Sequence, residues 1–104
     1  MPRPFGDKYL LWLFSQEVDS LETTLAKAVV KANLPMKYVA AALDANHMTV
    51  YRWFRGAKIR SEKRREVVQA FLRILKKDTD EGLLPVPNTK AAKQYIETVI
   101  GRSI

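Results

Sequence analysis

The sequence predicts an all-α fold, a compact bundle of five or six helices. Three observations lead there. Apolar side chains recur three and four residues apart through most of the chain, which is the repeat of one helix face. Ser20, Asn46, Ser61 and either Asn88 or Thr89 stand at the starts of these stretches, where a side-chain oxygen can accept an otherwise unpaired N–H of the first turn. The apolar run of residues 9–14 has neither the β-branching nor the alternation of a strand. With 104 residues and a hydrophobic fraction of 47%, the chain can bury one small core, and wholesale disorder is not expected. No internal repeat or low-complexity segment interrupts it.

Residues 1–6 read as a mobile arm, because Pro2, Pro4 and Gly6 discourage regular structure. Arg3 offers that arm a cation for a minor groove or a phosphate, and an ordinary disordered terminus is the plainer reading. Asp7 can cap a helix running to about residue 16. Tyr9, Leu10, Leu11, Trp12, Leu13 and Phe14 make it apolar nearly all round, so it should be buried on more than one side, as a central helix or as a partner surface. Ser20 caps a second helix reaching residue 33, with a stripe of Leu21, Leu25, Ala28, Val29 and Ala32. Asn33 and Pro35 end it, since the residue before proline is pushed away from helical angles.

Residues 36–56 organise the rest. Val39, Ala40 and Leu43 fall on one helical face, and so do Val50 and Trp53. Between them, Asp44 can adopt the left-handed conformation that turns the chain, and Asn46 can cap the second of the two helices. Gly56 sits where glycine commonly ends a helix. Two short helices joined by a three- or four-residue turn are the plan of the DNA-binding helix-turn-helix. After it, Ser61 caps a helix to about residue 77 marked by Val67, Val68, Phe71, Leu72 and Leu75, which Asp78, Asp80 and Gly82 close. Residues 83–89, with Pro85 and Pro87, read as an extended linker between a domain of residues 7–82 and a last helix in residues 90–104. That helix presents Ala92, Tyr95, Ile96, Val99 and Ile100 on one face, to complete the core or to oligomerise.

Ala40, Leu43, Val50, Trp53 and Gly56 stand where the phage Cro/CI-repressor type of helix-turn-helix domain has its small, aliphatic, aliphatic, bulky apolar and glycine residues. The run from Thr49 to Trp53 resembles many bacterial and phage recognition helices. The similarity covers about twenty residues firmly and residues 20–77 loosely. At two positions the chain differs from the family pattern. Asp44 replaces the usual turn glycine, and Met36 stands where a phosphate-reaching glutamine is common. The resemblance implies a small transcriptional regulator that excludes polymerase or another protein by occupying an operator.

Charge points the same way. The formal net charge is +7 and the sequence pI about 9.9. Residues 1–33 are net neutral, residues 34–60 carry +4, residues 61–77 carry +4 and residues 78–104 carry −1. A charge serving solubility alone has no reason to concentrate on and after the helix-turn-helix, whereas phosphate binding does. The candidate phosphate contacts are Lys37, Tyr51, Arg55, Lys58, Arg60, Lys63, Arg64 and Arg65. The bland alternative is a solvated helix face with charge pairs one turn apart.

The residues at the start of a recognition helix meet base edges, so Asn46, His47, Met48, Thr49 and Arg52 are the candidate base contacts. Arg52 can take guanine O6 and N7 together. Asn46 reads adenine or simply caps its helix. His47 donates to a base or phosphate, and as the only histidine in a chain without cysteine it is a poor metal ligand. Met48 and Thr49 can touch a thymine methyl. Tyr51 donates to a phosphate or covers the helix surface. Trp53 belongs to the core, and Phe54 packs on the following helix or in a subunit interface. Stacking of Trp12, Trp53, Tyr9 and Tyr95 on single-stranded bases is a lesser reading.

No glycine-rich phosphate loop, HExxH or paired-carboxylate pattern is present, so the expectation is no enzyme, no cofactor, no metal and no small-molecule substrate. The apolar runs are too short to span a bilayer. The protein is expected to be cytoplasmic, to bind double-stranded DNA sequence-specifically and to form a homo-oligomer, most simply a dimer reading a palindrome. Its open apolar surfaces lie around Trp12 and around Tyr95. Two other functions fit the same chain. Small phage DNA-packaging (terminase small subunit-like) proteins join such a domain to an oligomerising C-terminal helix, and residues 83–100 resemble that layout. A protein-interaction module could instead inhibit a host protein through the apolar N-terminal helix.

Overall fold

The computed structural model describes residues 5–17 and 19–104. Among these, six helices and no strand are present: α1 (Asp7–Ser15), α2 (Leu21–Ala32), α3 (Met36–Ala42), α4 (His47–Phe54), α5 (Glu62–Asp80) and α6 (Thr89–Ile100). The all-α bundle is therefore as the sequence predicts. Four helices open on a side-chain cap. The Ser20 hydroxyl accepts from the Thr23 N–H, the Asn46 amide oxygen from Met48, the Ser61 hydroxyl from Arg64, and the Asn88 amide oxygen from Ala91. α1 begins after Gly6 instead, with Asp7 inside its first turn.

α2 is the central strut and packs against α1, α4 and α5, while α3 packs against α4 and α6. Leu25, Val29, Val39, Val50, Phe54, Val68 and Ile96 are essentially sealed from solvent. Removing that much aliphatic surface from water is the main favourable term holding the six helices together. Among the described residues no helix is long and apolar enough to cross a membrane.

Three expectations change. α1 buries only Leu13 fully, and Leu11 is 75% exposed. It lies at the edge of the bundle against α2, so one face is covered and its run of apolar residues continues round to solvent. α5 runs through Asp78 and Asp80 to its cap at Glu81. The Asp78 carboxylate accepts a hydrogen bond from the Tyr95 hydroxyl of α6, and the turn comes at Gly82, whose φ of 81° suits glycine. Residues 83–89 are a docked strap and not an open linker. Leu84 and Val86 are buried, the Val86 N–H donates to the Ala32 carbonyl at 3.1 Å, and the Asn33 amide donates to the Val86 carbonyl at 2.8 Å.

That strap returns α6 to its own core, where Ala92 and Ile96 are fully buried. Of the two roles open to the last helix, the packing is the core-completing one, and the Tyr95 side is closed against Asp78. The arm expected at residues 1–6 lies outside the described residues for 1–4. Phe5 is no free arm: it is half-buried, with its ring 5.8 Å from that of Tyr9 and 6.0 Å from that of Phe54.

Ile96→Ala removes a fully buried side chain and should lower the unfolding free energy by about 2–5 kcal/mol. Urea unfolding followed by circular dichroism measures it. An appended helix that did not share the core would lose almost nothing.

Candidate nucleic-acid interface

α3 and α4 are joined by a turn in which Asp44 takes φ 50°, the left-handed conformation. The Ala45 N–H donates to the Ala40 carbonyl at 3.0 Å and closes it. Ala40 is buried and Ala45 half-buried, so no bulky side chain separates the two helices at the turn. Val50, Trp53 and Phe54 seat α4 on the core. Phe54 is thus a core residue, and its carbonyl accepts the Tyr9 hydroxyl at 2.9 Å, tying α1 to the end of α4. Burial pushes the Tyr9 phenol up to about 12, only partly offset by the nearby Arg55 charge. The hydroxyl is therefore held neutral as a donor.

The opposite face of α4 carries His47, Met48, Tyr51 and Arg52, all exposed, and continues into exposed Arg55. Thr49 is half-buried, and the Asn46 amide oxygen is engaged by the Met48 N–H at 2.8 Å. The Asn46 cap is therefore formed, which leaves its amide nitrogen for any outward contact. The Arg55 guanidinium lies 5.4 Å from the Tyr51 ring centroid and that of Arg64 lies 5.9 Å from Trp53. The second contact brings the start of α5 beside α4. Lys37 on α3 stands 5.8 Å from the Tyr38 ring and points to solvent.

Lys58, Arg60 and Lys63 are also exposed. Within the described residues, none of Lys37, Arg52, Arg55, Lys58, Arg60, Lys63 and Arg64 forms an ion pair with a carboxylate. The charge pairs of a merely solvated face are not made, even though Glu62 and Glu66 lie on the same helix. Arg65 is the exception to the predicted set. Its guanidinium bridges the Glu22 carboxylate at 3.4 Å and the Ile59 carbonyl at 3.3 Å, so this half-buried side chain is engaged within the protein, unlike the other cations.

Glu22 is the residue that sequence reasoning missed. It sits in the first turn of α2, 4% exposed, and its Oε1 accepts the Ile59 N–H at 2.7 Å across 37 residues of chain. Ile59 is itself buried at 2%. One acidic side chain thus fixes both backbone polar groups of Ile59, directly and through Arg65, and its flanking neighbours Lys58 and Arg60 face outward. The available signal was Ile59, a lone aliphatic residue in a basic loop. Burial alone would raise the Glu22 pKa, but the Ile59 N–H, its own N–H, the Arg65 charge and the Ser20 hydroxyl outweigh it. The carboxyl stays below its ordinary value.

Compared with known proteins, the chain matches no family model, and neither a curated protein nor a solved structure was found to match it.

Glu22→Ala leaves the Ile59 N–H buried without its acceptor and should cost about 1–3 kcal/mol of stability. Because the folded carboxyl holds its proton less tightly than the unfolded one, its contribution is complete above the ordinary carboxylate range and is lost as pH falls through the lowered folded value. Glu22→Gln, measured by thermal melts across acid pH, should flatten that part of the wild-type decline.

Proposed function

We propose that the protein binds double-stranded DNA sequence-specifically through a helix-turn-helix, with α3 as its first helix and α4 as its recognition helix, and that it acts as a small transcriptional regulator of the phage-repressor kind. One observation carries this reading: α4 is fixed to the core by Val50, Trp53 and Phe54 while its outer face is a cluster of exposed polar, aromatic and basic side chains. A major groove admits one α-helix and offers donors and acceptors to such a face. His47, Met48 and Arg52 are the base-reading residues, with Thr49 reaching only through its exposed part. Tyr51, Arg55, Lys58, Arg60, Lys63, Arg64 and Lys37 form the phosphate-binding surround.

Physical separation of the two jobs supports the assignment. The cations of residues 55–64 lie in a clamped loop and the first turn of α5, where unpaired helix N–H groups add to the attraction for phosphate. They supply affinity without sequence preference, and α4 supplies the preference. A regulator reading a palindrome requires two copies, so the proposed active form is a dimer that blocks polymerase at its operator.

Selection from a randomised duplex pool at low and moderate salt tests this. The expected result is enrichment of one motif with two-fold symmetry that persists at moderate salt. Binding that is salt-sensitive and enriches nothing contradicts base reading. In the selected duplex, Arg52→Ala should cost about 1–3 kcal/mol and relax preference at one base pair. Lys58→Ala should weaken all sequences alike and reduce the salt slope by about 1. Fluorescence anisotropy titrations across salt separate the two behaviours.

A further inference from the structure

A cleft of about 410 Å³ lies between α1 and the end of α4, and among the described residues Lys8, Tyr9, Trp12 and Arg55 line it. That volume is at the lower end of what ligand pockets enclose, about 300–1,000 Å³. Its walls belong to helices already fixed to one another. The Tyr9 hydroxyl donates to the Phe54 carbonyl at 2.9 Å, and the Trp12 ring stands 5.8 Å from that of Tyr9. Lys8, Trp12 and Arg55 are all exposed. Within the described residues, neither Lys8 nor Arg55 forms an ion pair with a carboxylate. Asp7, next to Lys8 in sequence, lines a separate hollow with Leu10, Leu11 and Phe14.

The geometry points to a phosphate-binding cleft, in which Lys8 and Arg55 together hold a backbone phosphate of the duplex that α4 reads. No described residue of the lining is acidic. The Tyr9 proton is committed to Phe54, and Lys8, Arg55 and the Trp12 indole contribute donors alone. A phosphodiester is their complement, since its charged oxygens only accept, and hydrogen bonds from a cation to such an oxygen are the stronger kind. The lining holds no amide or carboxylate that could recognise the edge of a base. It recognises charge, not sequence.

Arg55 makes the cleft continuous with the outer face of α4. Its guanidinium lies 5.4 Å from the Tyr51 ring centroid. A second hollow shares Tyr9 and Arg55 with the first and runs on to Tyr51 and to Met36 at the start of α3. Together the two hollows join α3, α4 and α1 in one run of surface, which suits a passing backbone better than an enclosed free anion. Lys8 lies far in sequence from the basic residues 52–65, in a segment whose net charge is zero, so charge counting along the chain does not single it out. Phosphate contacts fix the register and orientation of a protein on its duplex. A phosphate held where α1 meets the end of α4 thus sets the angle at which the recognition helix lies in the groove.

The cleft rests on the duplex-binding reading above, and the two fail in different ways. Anisotropy titrations of a labelled duplex across salt should compare wild type with Lys8→Gln, Lys8→Arg and, as a control for net charge, Lys90→Gln on α6. Lys8 and Lys90 are exposed, so circular dichroism should be unchanged throughout. Lys8→Gln should weaken every duplex alike, severalfold at low salt, and reduce the salt slope by about 1. Lys8→Arg should keep the wild-type slope, and so should Lys90→Gln. Duplex should also change the tryptophan fluorescence, and Trp12→Phe should abolish that change. A Lys8→Gln protein with wild-type affinity and slope, or a Lys90→Gln loss as large as that of Lys8→Gln, overturns the inference and leaves the proposed function standing. Adenosine monophosphate or inorganic phosphate that changes Trp12 fluorescence at lower concentration than the duplex does also overturns it, in favour of a small-anion site. A loss at Lys8 with no effect of Arg52→Ala and no enriched motif upholds the cleft and refutes base reading. No duplex binding at low salt overturns both.

Discussion

Glu22 is the one buried charged side chain among the described residues, and the loop of residues 55–61 takes its course from it. Taking a carboxylate out of water costs several kcal/mol unless hydrogen bonds and a counter-charge replace the lost hydration. Here the Ile59 N–H, the Arg65 guanidinium and the helix to which Glu22 belongs supply them. The compensation is also what pins the loop: Ile59 can satisfy its backbone only where Glu22 and Arg65 stand, and its side chain then enters the core. The start of α5 and the end of α4 are brought together by this contact as much as by Trp53 and Arg64.

The consequence is a division of the surface by chemistry. α2 and the clamp hold the loop from inside, and the unpaired cations of residues 55–64 are left on the outside next to the outer face of α4. A basic loop with no internal anchor would sample many positions and lose side-chain and backbone entropy on meeting a phosphate. The anchored loop has already lost most of it on folding. On the far side of α4, Tyr9 and Phe5 connect the same helix to α1, whose remaining apolar side chains face solvent. The proposed groove-reading helix is thus held between a basic region and an apolar one.

Local signals in the sequence were legible wherever a few neighbouring residues decide the outcome. Ser20, Asn46 and Ser61 cap the helices they were expected to cap. Asp44 turns the chain with positive φ, and the α3–α4 pair begins at Met36 and ends before Gly56 as its spacing predicts. Legibility fell where distant segments decide. Residues 83–89 look like a linker because proline favours extended backbone, but Leu84, Val86 and the Asn33 amide make that extended backbone a strap. Arg65 looks like every other cation near it, and only the buried Glu22 across the fold distinguishes it. The apolar run in α1 promised burial on several sides, which a bundle of this size provides on one. Within the candidate interface, exposure of His47, Met48, Tyr51, Arg52 and Arg55 follows from the helical repeat, whereas the half-burial of Thr49 depends on how α4 is seated.

Amide chemical-shift mapping tests the account most directly. A labelled sample titrated with the selected duplex should show its largest perturbations in residues 46–52 and in the loop and first turn of α5 between residues 55 and 64. Shifts in α6 should be small. Perturbations centred on α6 or on the strap, with residues 46–52 unmoved, would contradict the claim that α4 is the helix that meets DNA.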